Sequence, residues 1–120
     1  MTATLLENAL NRRIGKFVNN YTTNEIDMTY ETRRAFPRYP MTEPVDVMID
    51  SYQSPAEIFQ ATGRDISLGG LGLYTHRPIP AGTELIISVD NGRERLLTKA
   101  KAVHSTLSVG LFKIGVEFKI

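Results

Sequence analysis

Two short stretches of this 120-residue chain carry side chains whose types and spacing suit binding chemistry. The first is Arg64-Asp65-Ile66-Ser67-Leu68-Gly69-Gly70, lying between two apolar runs. Asp and Ser side chains hydrogen-bond main chain a residue or two onward, and adjacent glycines permit positive φ and close approach to bare backbone. Such a turn either holds itself together or presents a carboxylate, a hydroxyl and open main chain to a ligand. The second stretch is Arg33-Arg34-Ala35-Phe36-Pro37-Arg38. Arg34 and Arg38 have i, i+4 spacing, but Pro37 lacks an amide donor and pushes Phe36 out of the α region, so these arginines belong on a loop. Guanidinium grips phosphate bidentately and stacks on rings, so the cluster suits a ligand with both phosphates and bases. The plain alternative is a solvated basic surface.

The elements that must position these residues follow from periodicity. Leu5, Leu6, Ala9, Leu10, Ile14, Phe17 and Val18 keep one helical face apolar, and Thr4-Leu5-Leu6-Glu7 matches a capping box, which predicts a helix from about Leu5 to Val18. Arg12, Arg13 and Lys16 take its other side, and Asn19-Asn20 make a stop. That apolar face belongs on a barrel or a partner, with a membrane surface as the other option. Tyr21 to Thr32 lacks sustained periodicity and reads as a linker into the arginine loop. From Pro44 the period becomes two, with Val45, Val47 and Ile49 alternating with polar or flexible residues. Further strands are predicted at Glu57 to Ile66, Leu71 to Thr75, around Leu85, Ile87 and Val89, at Leu97 to His104, and at Phe112 to Lys119. Asp90-Asn91-Gly92 is a hairpin signal, and Pro78 and Pro80 exclude regular pairing between the third and fourth strands. Six short antiparallel strands favour closure into a barrel, because closure removes exposed edges. The expected fold is therefore mainly β: a six-stranded antiparallel barrel with an added N-terminal helix.

Composition excludes several classes. A chain of this length holds one domain, and no apolar run approaches the roughly 18 to 20 residues that span a bilayer. No signal-peptide pattern opens it and cysteine is absent, so the expected location is the cytoplasm, with no membrane insertion. A net charge of +1 argues against a nucleic-acid polymer as partner, since such affinity needs many phosphate contacts. Catalysis finds little support: His76 and His104 are the only histidines, in no metal-ligand spacing, and Ser67 lacks a nucleophile elbow. His104 reads as a packed or surface residue. Asp65 with Glu57, Asp90 or Glu117 could make a carboxylate pair, but surface carboxylates are too common to mark one. The expectation is a binding module that is not an enzyme and holds no metal and no cofactor.

Arg34-x-x-x-Arg38 followed by Asp65-x-Ser67-x-x-Gly70 resembles the PilZ domain family, bacterial receptors for the second messenger cyclic di-GMP. Pro80-Ala81-Gly82-Thr83, Ala100 to Val103 and Gly115-Val116-Glu117-Phe118 extend the likeness over Arg33 to Phe118. The resemblance implies a split barrel over residues 33–120, with the helix and linker of residues 1–32 as an addition, and a basic loop that folds over the barrel to clamp the dinucleotide. It implies that Arg33, Arg34, Arg38, Asp65, Ser67, Gly69 and Gly70 form the cyclic di-GMP site. In that reading Arg34 and Arg38 clamp rings and phosphates, Asp65 and Ser67 meet a guanine edge, and Gly70 admits the base to the backbone. A basic residue at Arg33 accompanies a stacked pair of ligand molecules in the family. Arg64 adds charge beside Asp65 or pairs with it. Output then passes to an unidentified protein partner or through self-association. Two rivals stand beside this: a PilZ-like adaptor that binds protein and no nucleotide, and a small β-barrel RNA-binding protein suggested by the basic loop, Tyr39 and Tyr74.

Overall fold

The period-two patterning is realised strand by strand in the computed structural model, which describes residues 5–22, 36–49 and 57–119. The strands are β1 (Tyr39–Pro40), β2 (Pro44–Ile49), β3 (Glu57–Ile66), β4 (Gly70–Thr75), β5 (Glu84–Asp90), β6 (Arg95–Ser108) and β7 (Leu111–Phe118). All pairings are antiparallel, in the order β3-β2-β5-β6-β7-β4, and β4 returns to β3 to close a six-stranded barrel. Val45 and Val47, Leu85, Ile87 and Val89, Leu96, Ala100 and Ala102, and Ile114, Val116 and Phe118 point inward into one core. Closure satisfies the backbone groups that an open sheet would leave as edges.

Three segments depart from the sequence-based expectation. Tyr39–Pro40, read as loop, is a strand against Ile66 and Asp65. The Met41 amide donates to the Arg64 carbonyl and the Gly63 amide to the Glu43 carbonyl, so the chain from Tyr39 into β2 is stitched along β3. Met41 fills the space that Gly63 leaves and is buried. The fifth predicted strand continues past His104 to Ser108 and turns back through Val109-Gly110, both at positive φ. A valine at the first turn position hides that hairpin, because β-branched residues rarely adopt this conformation. Finally, Gly69 and Gly70 do not have positive φ; that conformation falls instead at Gly82, Gly92 and Gly110.

The helix α1 (Leu5–Asn19) lies on the barrel. Ile14, Phe17, Val18 and then Tyr21, spaced to share one face, join the barrel core, while Arg12, Arg13 and Lys16 face solvent. Burial of each of the large apolar side chains contributes about 1.5–3 kcal/mol. From Leu10 to Tyr21 the face is thus occupied by the barrel. Asn20 ends the helix by donating its side-chain amide to the Phe17 carbonyl at 2.9 Å, and reaches Glu94 in the β5–β6 hairpin at 3.1 Å. Tyr21, assigned to the linker from its sequence, is buried because its ring packs on Phe17 and its hydroxyl donates to Glu43. Burial and the Glu43 carboxylate push that hydroxyl's pKa well above the ordinary tyrosine value. Thr4, which opens the expected capping box, and the rest of the expected linker, residues 23–32, lie outside the described residues. No described helix is long and apolar enough to cross a membrane.

Candidate functional site

Two bulges aim polar side chains at one patch of the barrel's outer surface. In β3, Gly63 faces Leu73 but Asp65 faces Gly72, so Arg64 is an extra residue. Strict alternation after the inward Ala61 and Gly63 would bury Asp65. The bulge instead returns Ile66 to the core and leaves Arg64 and Asp65 both outside. In β6, Ala102 faces Val116 while His104 faces Gly115, which makes Val103 the extra residue and exposes both Val103 and His104.

Between the bulges the surface is floored by glycine. Gly70 pairs with Glu117 and Gly72 with Gly115 across β4 and β7. A Cβ on Gly72 would lie 2.5 Å from Arg64 Nη2 and 2.7 Å from Asp65 Oδ1, and one on Gly115 would overlap the His104 imidazole. These glycines let neighbouring polar side chains lie flat on the strands. Gly70 serves the packing of β4 on β7 instead, because a Cβ there would overlap the Val116 carbonyl oxygen. A Cβ on Gly69 would sit 3.0 Å from the Phe36 ring.

Asp65 is the fastener of this patch. Its Oδ1 accepts from Arg38 Nη1 at 2.7 Å and its Oδ2 from Arg64 Nε at 3.1 Å. Arg64 also places its guanidinium carbon 5.8 Å from the centre of the Tyr74 ring, a cation–π contact. Ser67 is buried, and its Oγ accepts from the amides of Gly69 at 3.1 Å and Gly70 at 3.2 Å, while its own amide donates to the Gly70 carbonyl at 2.9 Å. Ser67 therefore builds the β3–β4 turn, and among the described residues its hydroxyl proton has no acceptor.

An open groove of about 790 Å³ runs along this patch. That falls in the range of about 300–1,000 Å³ typical of small-molecule sites. Its walls bring together Arg38, Arg64, Ser67, Gly69 and Gly70 from the two sequence motifs. Asp65 stands behind Arg38 and Arg64, which line the groove. Arg33 and Arg34 lie outside the described residues. Sequence reasoning missed further residues of the lining, among them Asn11 and Ile14 of α1, Val103 and His104 at the second bulge, and Glu117 on β7. His104, read as packed or surface, is an exposed groove residue. Among the described residues no cluster of three or more His, Cys, Asp or Glu side chains could hold a metal ion.

A family model described as the PilZ domain matches residues 32–120. The chain belongs to the PilZ domain family. Among solved structures it is similar to the PilZ domain of CeSA from a cellulose-synthesizing bacterium, at a TM-score of 0.55 and 22% identity over 70% of this chain and 81% of that one. The PilZ domain with c-di-GMP of YcgR from Escherichia coli gives 0.51 and 17% over 72% and 78%. The K. pneumonia MrkH–c-di-GMP complex gives 0.57 and 16% over 74% of this chain and 45% of MrkH, so this chain spans under half of that protein. At these identities the likeness is one of fold. A search of curated proteins finds no match to the chain. On this PilZ barrel, α1 is packed into the same core as the strands and supplies a wall of the groove.

Proposed function

We propose that this PilZ domain is a receptor for cyclic di-GMP that signals through its arginine loop to a protein partner. The observation that carries the reading is the convergence of Arg38 from one motif with Ser67, Gly69 and Gly70 from the other on a single groove of suitable size. Two of the similar solved structures are complexes with c-di-GMP by their own description. The chemistry fits: guanidinium groups bind phosphate and stack on purine faces, and carboxylate and hydroxyl groups read a guanine edge. Arg38 holds Asp65 when no ligand is present. A phosphate entering the groove competes for that guanidinium, and the exchange couples ligand to the loop that Arg38 ends. Arg33 and Arg34 add charge to the same loop, Arg34 to the clamp and Arg33 to a second stacked ligand. No cofactor and no bond-making step enter this reading.

One observation favours the adaptor alternative, a PilZ domain that binds protein alone: both oxygens of Asp65 are already engaged within the chain. Calorimetric titration with cyclic di-GMP separates the two. The receptor reading expects saturable heat, a ratio approaching two per chain that Arg33→Leu lowers toward one, and about 10- to 100-fold weaker binding for Arg38→Ala. No heat from a folded sample would overturn the receptor reading in favour of the adaptor.

A further inference from the structure

Resting on that receptor reading, we infer that Glu117 is a specificity-determining residue of the groove, the carboxylate that selects guanine over adenine. The residue that the family resemblance implies for this role, Asp65, accepts from Arg38 at Oδ1 and from Arg64 at Oδ2, and its side chain is only 20% exposed. Each oxygen already accepts one bond, so a base would have to share Asp65 with Arg38 and Arg64. Glu117 is exposed, lines the groove, and makes no ion pair among the described residues, although Lys101 faces it across β6.

Its position relative to Ser67 completes a pattern. Gly70 pairs with Glu117 on β7, and the Gly70 amide is bonded to Ser67 Oγ, so Glu117 and Ser67 are both neighbours of Gly70, and both line the groove. Two amides already donate to Ser67 Oγ, no acceptor for its proton lies among the described residues, and Ser67 lines the groove, so the hydroxyl can serve there as a donor. The Watson–Crick edge of guanine presents an acceptor, O6, beside two donors, the N1 and N2 groups. A hydroxyl donor next to a carboxylate acceptor is complementary to that row. Adenine offers a donor and then an unprotonated N1, whose lone pair would oppose the carboxylate. Carboxylate in place of amide at this point is therefore a guanine selector, and the amide of glutamine would tolerate either base.

The test is titration of the parent, Glu117→Gln and Glu117→Ala with cyclic di-GMP and with cyclic di-AMP, alongside thermal melts. An exposed strand residue should be replaceable without loss of fold. We expect both variants to melt near the parent, and the preference for the guanine ligand to fall by about 10-fold or more, since a charge-assisted contact is lost only for that ligand. A parent that binds cyclic di-GMP while both variants keep affinity and preference within twofold overturns the role of Glu117 and leaves the receptor reading standing. A folded parent that binds neither ligand overturns both.

Discussion

Replacing Asp65 by alanine removes two charge-assisted bonds at once, from Arg38 and from Arg64. Fully protected, such a bond contributes about 1.5–3 kcal/mol, whereas an exposed ion pair contributes about 0.2–1 kcal/mol. This cluster lies between those limits, because the Asp65, Arg38 and Arg64 side chains are 20%, 31% and 25% exposed. The arginines left behind can be rehydrated, which lowers the loss further. Together these bounds give about 1–3 kcal/mol for Asp65→Ala. In a domain of this length roughly 3–5 °C of melting temperature accompanies each kcal/mol, so the variant should melt about 3–15 °C below the parent. Urea unfolding gives the same quantity independently, and amide exchange should show the loss locally at Met41, whose amide bonds the Arg64 carbonyl beside the cluster. A double-mutant cycle with Arg38→Ala isolates the pair, with an expected coupling of about 0.5–2 kcal/mol. An Asp65→Ala protein that melts within about 2 °C of the parent, with unchanged exchange at Met41, would refute the claim that this carboxylate fastens the loop.

Gly70→Ala should destabilise the fold by about 1–3 kcal/mol, because its Cβ would press on the main-chain carbonyl of Val116, whereas Gly69→Ala meets only the movable Phe36 ring and should stay within about 0.5 kcal/mol in denaturant unfolding. Tyr21 should stay un-ionised to higher pH than a free tyrosine when followed by phenolate absorbance. Because its folded pKa is raised, its contribution to stability is complete below the ordinary tyrosine value near 10 and is lost as pH rises through and above it, a dependence that Tyr21→Phe should remove. Val109→Asn should raise stability by about 1 kcal/mol by thermal or urea unfolding, since the position has φ of 51° and the side chain is fully exposed, and asparagine accepts that conformation more readily than valine.

The alternations at Val45–Val47 and Leu85–Ile87–Val89, the helical spacing of Ile14, Phe17 and Val18, and the two polar motifs were all legible because each is a local pattern. What placed them in one groove was not local. Asp65 and His104 both occupy positions that unbroken alternation would bury, and both are outside because each strand carries one extra residue. A trace of the first bulge is present in the chain, where the inward series Ala61, Gly63 changes parity to Ile66. The second is marked only by a histidine at an inward position. Glu117 was visible within Gly115-Val116-Glu117-Phe118, but its strand could show only that it points outward, not that Gly70 and the Ser67 turn stand beside it. The glycines show the same limit from the other side. The family resemblance implies that Gly70 admits a base to the backbone, while the register shows that its missing Cβ admits the backbone of β7, and the surface left bare for polar side chains is at Gly72 and Gly115. A glycine's role depends on what lies across the sheet from it, which is set by register and closure. In this barrel the same pairing that leaves no room for a side chain at Gly70 puts Glu117, which has no ion-pair partner among the described residues, on the strand beside the Ser67 turn. Selectivity and packing therefore meet at one residue pair, and Glu117→Gln should change the first while Gly70→Ala changes the second.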